Sequence, residues 1–481
     1  MTGQNLRAAT WQLPLLVAAT LLSASLSYLL RSPCFGTSMA SLSLSGTTGC
    51  DSDLAVVWYS RGLAEHLLPY LELLPTWSGT PATVEYPVLS GLLMWLLSLP
   101  ASTYAGFVAV TAVVMGALAA WLTVILYRRA GLRTWAWAAS PALVFYLTYN
   151  LDLPPTLCMV GALALVAGRD PRTISRRRYL GAAVLLALGG ALKLFPLLFG
   201  PALMAWLWYG RPGEGQPPLR VRIRRSLEVA AAAIAVLVGV NVPVFLANPA
   251  GWLAPLAYQA SRAITQDTMS IWYFLNTWVD LPQHTVMTLA TLATTAGLIA
   301  VLATGWRLAA RAGEYPLLGT SLGLLVAYLL LNKVFSPQYT IWVLPLLIFL
   351  GFRAWVAVSV LVVDVALYWS WHFLVLASVT RRMSAYALWR LVSEASIGVR
   401  GWLLAALAIV AVAAPALRSA RLRLFLDQDS PLLHSGRIPH APAPSWGPRP
   451  LPARGPREPS AVPVPATRAP LLVGSSVHDR E

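Results

Sequence analysis

Acidic side chains that could catalyse group transfer stand just after the first apolar segment of the chain. Asp51 and Asp53 bracket a serine there, ahead of an amphipathic stretch. A carboxylate in a polar segment can act as a general base, which takes the proton of an attacking hydroxyl. Asp53 is the preferred candidate, and Asp51, Glu65, Glu85 and His66 are weaker candidates. The alternative for Asp53 is structural, because aspartate is also a favoured N-cap at the start of a helix.

Lysine is rare in this chain, and its two positions share a context. Of the 35 basic residues, all are arginine except Lys193 and Lys333, which stand in the strings KLFP and KVFSP. An ammonium group is a compact charge that suits a phosphate oxygen in a narrow space. We therefore predict that Lys193, with Lys333 or Arg61, binds a phosphate. The alternative is that the two lysines fall at these places by chance.

The composition indicates that lipid solvates most of the chain. Hydrophobic residues make up 57% of its 481 residues, charged residues 11%, and the mean hydropathy is +0.64. Long apolar runs without a period of two predict helices and not barrel strands, so the fold class is an all-α polytopic membrane protein. The net charge of +16 does not indicate nucleic-acid binding, because the arginines lie in short loops and in the C-terminal segment.

The hydropathy pattern predicts about twelve spanning helices. The arginines between them fall on one side, which places that side and both termini in the cytoplasm. This orientation requires that the short apolar segment 86–100 is an interfacial or re-entrant helix. Residues 1–419 then form the transmembrane domain, and 420–481, rich in Pro and Arg, form a disordered cytoplasmic tail. The predicted outer segments are 31–102, 248–283 and 374–398.

Three pairs of short apolar segments, 134–168, 179–210 and 316–352, turn on the outer side. Their arms would be about 21–26 Å long, which is less than the hydrocarbon thickness of about 30 Å. Polar tips below the outer surface are costly unless they line a water-filled cavity. We predict such a cavity, floored by Asn150, Asp152, Lys193, Lys333, Ser336 and Gln338. In the alternative, the tips reach the interface and their charges snorkel.

Aromatic residues of the outer segments complete the predicted site. Tyr59, Trp272 and Tyr273 could stack on a substrate, or anchor the chain at the membrane interface. The string of Glu85, Tyr86 and a proline is also typical of a simple helix start. The predicted substrate-binding residues are Asp51, Tyr59, Glu85, Tyr86, Asn150, Asp152, Trp272, Tyr273, Ser336 and Gln338.

Three further positions have no fixed role at this point. Asp364 lies within an apolar span, where an ionisable residue is a functional candidate by default, although a buried hydrogen bond explains it as well. Cys34 and Cys50 flank the first outer loop, so a disulfide between them is possible. No group of residues has the spacing of a metal site, and no cofactor is expected.

These residues lie in strings that resemble the actinobacterial branch of glycosyltransferase family 87, the polyprenol-phosphate-mannose-dependent mannosyltransferases. The strings follow the family's order over roughly residues 50–350: CDSDLAVVWYSRGL, PYL, VEYPVLSG, YNLDLPP, ALKLFPLL, SIWYFLNTW and NKVFSPQYTIWVLPLL. The resemblance implies a GT-C fold whose catalytic aspartate, here Asp53, lies in the first outer loop. It also implies that Lys193 sits near the donor phosphate. Gln338 stands where the family often has a histidine, which leaves Asp53 as the leading base.

The resemblance implies an inverting hexosyltransferase of the plasma membrane. It would move a hexose from polyprenyl phosphate to a cell-envelope glycan or glycolipid on the outer face. The hexose that the family resemblance implies is mannose. A transporter or flippase of a lipid-linked sugar is the main alternative, although such proteins usually carry internal repeats, which this chain lacks. A membrane scaffold would explain the basic tail but not polar residues at recessed tips.

Overall fold

A computed structural model of the chain describes residues 3–36, 50, 52–74, 83–209, 216–417 and 424–432. Within these residues the regular secondary structure is helical, apart from isolated bridge residues. The predicted all-α class is therefore confirmed. The α-helices, numbered α1 to α17 in chain order, are Gly3–Leu30, Asp53–Ser60, Val88–Ser98, Tyr104–Ala130, Trp135–Ala138, Pro141–Tyr146, Leu153–Val166, Arg176–Leu192, Phe199–Trp208, Leu219–Ala247, Pro249–Ser261, Ile271–Val279, Gln283–Ala312, Leu317–Leu331, Thr340–Phe349, Ala354–Val379 and Met383–Leu417.

Six helical segments among the described residues are long and apolar enough to cross a membrane. They belong to α1, α4, α10, α13, α16 and α17, so the chain is a multi-pass membrane protein. The predicted number of about twelve spans is not confirmed, because the other apolar helices among the described residues are short. The helix α3, for example, has 11 residues and a length of about 16 Å. That length agrees with the expectation that segment 86–100 does not cross.

The short apolar helices form the interior of the molecule. Every residue of α15 is buried, and α14 is buried along most of its length. By contrast, only 11% of the most apolar window of α10, and of α13, is buried inside the protein. A helix that is apolar all round and shielded by protein needs no lipid contact, whereas the long helices present their apolar surface to the bilayer.

Two predicted segments have a different helical structure from the one expected. Segment 134–149 is not one span, because it divides into α5 and α6 at Ser140 and Pro141. The Ser140 side chain accepts a hydrogen bond from the backbone N–H of Ala142 at 3.0 Å, and Pro141 occupies the first helical position. Both features start a new helix. Segment 374–398, predicted as an outer segment, belongs almost wholly to α16 and α17.

Residues 424–432 pack on the helical body, although they belong to the segment expected to be a disordered tail. Leu426 is fully buried and forms an isolated bridge with Phe352. Asp427 pairs with Arg133 at 2.8 Å, and the Ser430 hydroxyl donates to the carbonyl of Leu350 at 2.7 Å. The packed body therefore extends to these nine residues, and the rest of the tail lies outside the described residues.

The N-terminus of α11 lies directly against the first outer loop at a glycine. A Cβ atom on Gly251 would stand 1.8 Å from the carbonyl oxygen of Tyr70. We expect Gly251→Ala to lower the free energy of unfolding by about 1–3 kcal/mol, because backbone must move to relieve the clash. Gly239→Ala is the control, since a Cβ there meets nothing within 4 Å. Thermal unfolding of the two purified variants measures the difference, and equal midpoints would contradict the prediction.

Candidate functional site

The tips of the short helical hairpins meet at a cavity of about 720 Å³. Of the residues predicted from sequence, seven line it: Asp53, Glu85, Tyr86, Lys193, Lys333, Ser336 and Gln338. Asn150 and Asp152 are each 1% exposed and lie behind this lining, where they contact it. Residues from four separate parts of the chain thus converge on one space.

Asp53 presents its carboxylate to this cavity because another residue caps its helix. Ser52 is the N-cap of α2, and its hydroxyl accepts a hydrogen bond from the backbone N–H of Ala55 at 3.2 Å. The carboxylate of Asp53 is therefore not needed for capping. The hydroxyl of Tyr86 and the amide of Asn150, at 3.3 Å, both donate to Oδ2 of Asp53. One carboxylate oxygen is held in place, and these contacts leave Oδ1 to the cavity.

Tyr86 stays a hydrogen-bond donor to Asp53. Burial, and then the adjacent charge of Asp53, raise the pKa of Tyr86 well above its ordinary value of 10.0. A neutral phenol can give its proton to only one acceptor, and here that acceptor is the Asp53 carboxylate. The tyrosine thereby fixes the orientation of the carboxyl group.

Lys193 is held by a buried ion pair and by aromatic rings. Its ammonium donates to Oδ1 of Asp152, and Asp152 is positioned by its backbone N–H, which donates to Oδ1 of Asn150 at 3.0 Å. The ammonium also lies between 5.1 and 5.5 Å from the centroids of three rings, those of Tyr86, Tyr339 and Trp342. Such contacts favour a cation in a space with little water. Asn150 contacts both acidic residues, so it links this ion pair to Asp53.

A second group of cations stands where α11 ends. The ammonium of Lys333 donates to the carbonyls of Gln259 and, at 3.2 Å, Arg262. Burial and the nearby charge of Arg262 lower the pKa of Lys333. Arg262 has an acidic neighbour, Asp267, at 3.5 Å. Two cations against one carboxylate leave this part of the wall positive, which suits an anion.

Arg262 was not among the residues predicted from sequence. It lies in segment 248–283, on the side that the arginine distribution assigned to the outside, so it runs against the positive-inside trend. This departure from the trend is the feature by which the sequence could have identified Arg262. Arg61, which was predicted, forms an ion pair with Glu85. Its charge is therefore matched, and burial lowers its pKa.

Several predicted residues do not line the cavity. Tyr59 packs on Tyr104, with ring centroids 5.4 Å apart. The indole N–H of Trp272 donates to the carbonyl of Leu331 at 2.7 Å, and Tyr273 packs beside it in a small apolar cluster. These contacts are structural. Asp51 lies outside the described residues.

Two buried charged residues, Arg400 and Asp364, hold the turn that contains Ser336 and Gln338. The guanidinium of Arg400, 1% exposed, donates to the carbonyls of Ser336 and Pro337. It also donates to the hydroxyl of Thr340 at 3.3 Å, which in turn donates to Asp364 at 2.8 Å. Asp364 therefore helps to hold the turn through Thr340. Arg400 was missed, although a charged residue within an apolar run is a signal in itself.

A further part of the cavity wall is largely aromatic and was also missed. It consists of residues from the 141–149 segment, the 262–270 loop and α16, namely Tyr146, Tyr149, Met269, Tyr368, Trp371 and His372. Aromatic residues in an apolar helix look like ordinary packing in a sequence, so only their position in the fold distinguishes them.

A disulfide anchors the segment that carries Asp53. Cys34 and Cys50 form a disulfide bond, a pairing that the sequence alone left undecided. Cys50 stands two residues before the N-cap of α2. The bond joins the end of α1 to the start of the segment that carries Asp53. Among the described residues, no group of three or more His, Cys, Asp or Glu side chains is arranged for a metal ion.

A multi-pass body of helices whose charged side chains converge on one deep cavity defines a membrane protein with an internal polar site. The sequence profile of glycosyltransferase family 87 matches residues 84–332. That segment is just over half of the chain, so the chain belongs to glycosyltransferase family 87 and is a membrane glycosyltransferase. The family predicted from the ordered strings is thereby confirmed.

Among solved structures, the chain is similar to ArnT from Cupriavidus metallidurans bound to undecaprenyl phosphate. The sequence identity is 16%, the TM-score is 0.42, and the match covers 85% of this chain and 79% of that chain. No curated protein matches the chain in sequence.

Proposed function

We propose that this glycosyltransferase moves a hexose from a polyprenyl-phosphate donor to a glycan or glycolipid of the cell envelope, with inversion at the anomeric carbon. Mannose is the sugar that the family resemblance implies. The observation that carries the proposal is the Asp53 carboxylate, which is anchored by Tyr86 and Asn150 on the wall of a cavity that is also lined by Lys333 and Arg262. A base and a phosphate site in one cavity are the minimum for such a transfer.

The proposed step is a single displacement. Oδ1 of Asp53 takes the proton of an acceptor hydroxyl, and the hydroxyl oxygen forms a bond to the anomeric carbon. The bond between that carbon and the phosphate oxygen breaks, and its electron pair stays on the phosphate. The cations stabilise the charge that grows there. The products are the new glycoside and polyprenyl phosphate, and attack from the face opposite the phosphate inverts the configuration.

We assign Lys333 and Arg262 to the donor phosphate, because the nearby carboxylates neutralise only part of their positive charge. The ammonium of Lys193 is matched by Asp152, whereas Lys333 and Arg262 together face the one carboxylate of Asp267. A phosphate between Lys333 and Arg262 would complete that balance. Lys193 then stands deeper, beside Tyr86 and the base, where it supports the reaction centre.

The site is proposed to face outward. A disulfide such as Cys34–Cys50 persists in an oxidising compartment and not in the cytoplasm. It lies at the segment that carries Asp53, and the arginine distribution assigns the same segment to the outside. A lipid-linked donor could reach the cavity sideways, since Leu237 and Asn241 of the lipid-facing α10 line it.

The proposal is tested by sugar transfer in membranes that contain the full chain. Radiolabelled polyprenyl phosphate mannose is expected to give a labelled glycan or glycolipid, whereas GDP-mannose, with synthesis of the lipid donor blocked, is expected to give none. Anomer-specific glycosidases then report the configuration of the new bond. Label that crosses the membrane without a new glycosidic bond would replace this function with that of a transporter.

The assignment of the donor phosphate predicts the behaviour of Arg262→Gln. We expect the apparent KM for the donor to rise about tenfold or more, because a charge-assisted phosphate contact contributes roughly 1.5–3 kcal/mol. Arg390→Gln is the control, since Arg390 pairs with Glu394 at 2.7 Å and does not line the cavity. Initial rates at varied donor concentration measure the effect. An unchanged donor KM would remove Arg262 from the site.

The lowered pKa of Lys333 predicts that donor binding weakens in alkali. The folded protein loses the charge on this lysine at a pH below its ordinary pKa of 10.5, because burial and Arg262 favour the neutral amine. Donor affinity should therefore be intact at neutral pH and fall as the pH rises toward that value. Lys333→Arg should abolish this decline, and donor affinity measured from pH 7 to 10 tests it. The same decline in both proteins would contradict the prediction.

A further inference from the structure

The aromatic wall of the cavity has the composition of a carbohydrate-binding surface. Tyr368 stacks on Phe145 with ring centroids 4.0 Å apart, and it meets Tyr146 edge to face at 6.0 Å. The His372 ring lies 4.3 Å from Tyr368 as well, and Tyr368 is only 5% exposed, so Tyr368 supports the wall from behind. The half-buried Trp371 and His372 present their side chains to the cavity. A rigid aromatic face with a polar tip binds a ring that has both C–H and O–H groups at little cost in entropy.

His372 places one nitrogen of its ring on the same wall. Its Nδ1 lies 2.8 Å from the carbonyl oxygen of Tyr368, so Nδ1 carries a proton and donates. In the neutral ring, Nε2 is then an acceptor with a free lone pair. Within the part of the chain that the structure describes, the side-chain hydrogen bond of His372 is this one. Nε2 is thus a fixed acceptor for a hydroxyl.

Asp53 stands at the junction of the aromatic wall and the cationic wall. The backbone N–H of Leu54, its neighbour, donates to the carbonyl of Tyr149 at 3.2 Å. On its other side, Asp53 accepts from Tyr86, whose ring lies 5.5 Å from the Lys193 ammonium. The cations belong to the hairpin tips and to the end of α11, whereas Trp371 and His372 belong to α16. A base between two walls of different chemistry can serve two different substrates.

We infer that the aromatic wall is the acceptor subsite, and that it takes a neutral sugar ring. The ring would lie against Trp371, one hydroxyl would donate to Nε2 of His372, and the attacking hydroxyl would point to Asp53. This assignment rests on the proposed transfer and adds the class of acceptor, a glycan with an uncharged sugar at its end. An anionic acceptor headgroup fits less well, because the side chains of this wall supply no cation to the cavity.

A binding experiment tests the subsite without any transfer. The full chain in nanodiscs is mixed with methyl α-D-mannopyranoside, and saturation-transfer difference NMR detects which ring protons contact the protein. We expect saturation strongest on one face of the sugar, since one face stacks on the aromatic rings. The signal should fall about tenfold in Trp371→Ala and in His372→Asn. His372→Asn preserves a donor near Nδ1 but removes Nε2, so the loss would report that nitrogen.

Matched variants separate this inference from the donor site. Trp278→Ala is the control for loss of an indole, because Trp278 is 87% exposed and does not line the cavity. Arg262→Gln should keep the sugar signal. If the signal survives in Trp371→Ala and His372→Asn but disappears in Arg262→Gln, the sugar binds at the cationic wall and the inference is overturned. No saturation in the wild-type chain would overturn it as well.

The kinetic counterpart uses the same variants in the transfer assay. His372→Asn is expected to raise KM for the acceptor by about tenfold while KM for the donor stays constant. A higher donor KM with an unchanged acceptor KM would contradict the subsite. If no transfer occurs in the wild type but the methyl mannoside still binds to the aromatic wall, the proposed reaction fails and the sugar site stands.

Discussion

Replacing Asp53 by asparagine is expected to reduce sugar transfer by about 10²- to 10⁴-fold, the usual contribution of a general base. Asparagine has the same shape and can still accept the hydrogen bond from Tyr86 through its amide oxygen. It cannot take a proton from the acceptor hydroxyl. The loss should therefore appear in kcat, with KM for the donor nearly constant.

Two variants show whether Asp53 acts as the base or supports the fold. Asp280→Asn is the matched control, because Asp280 is an exposed aspartate of segment 248–283 that does not line the cavity. Tyr86→Phe removes the hydroxyl that holds Asp53 but leaves the carboxylate, so we expect a smaller loss, of about tenfold. Transfer by Asp53→Asn at the wild-type rate would contradict the assignment of Asp53 as the general base, and Glu85 would become the next candidate for that role.

Replacing Lys193 by methionine is expected to cost both activity and stability. The side chain of Asp152 is 2% exposed and that of Lys193 is 18% exposed, so the ion pair is largely shielded from water. Loss of one partner of a buried pair leaves an uncompensated charge, which costs about 3–5 kcal/mol. Thermal unfolding of the purified variant measures this loss, and Lys333→Met gives the comparison. Lys333 donates to backbone carbonyls and leaves no buried carboxylate behind.

A double variant separates the two roles of Lys193. Asp152→Asn together with Lys193→Met removes both charges, so the stability should return toward that of the wild type. Sugar transfer should remain low, because the cation beside Tyr86 is still absent. Recovery of transfer in the double variant would show that Lys193 serves only the fold.

The pH dependence of the single variant has a definite sign. Burial raises the pKa of Asp152, and the Lys193 ammonium opposes this shift. Without Lys193 the carboxyl of the folded protein binds its proton more tightly than in the unfolded chain, where the pKa is ordinary. Stability then falls as the pH rises from the ordinary value of 3.8 through the raised one. Lys193→Met should therefore lose less stability at pH 5 than at pH 8.

The sequence by itself determined the class of fold and the family. An 11% share of charged residues cannot cover a soluble protein of this size, so lipid must be the solvent and helices must be the structure. The ordered strings around Asp53, Lys193 and Lys333 were enough to predict the family. These signals are local, since hydropathy and short motifs depend only on residues that are neighbours in the sequence.

The tertiary structure decided which of the polar residues meet. Lys193 and Asp152 stand on different hairpins, and the sequence contained no sign that they pair with each other. The same holds for Arg61 with Glu85 and for Asp53, whose role depends on Ser52 as the cap. Hydrogen bonds and ion pairs between distant segments depend on packing, which periodicity does not encode.

Aromatic residues show most clearly the difference between what the sequence predicts and what the tertiary structure decides. Tyr59 stands in an amphipathic outer segment and was predicted to contact a substrate, whereas Trp371 stands in an apolar span and was not. The fold turns Tyr59 onto Tyr104 and places Trp371 on the cavity wall. The direction of a side chain on a helix depends on where the neighbouring helices lie, and only the assembled bundle fixes that.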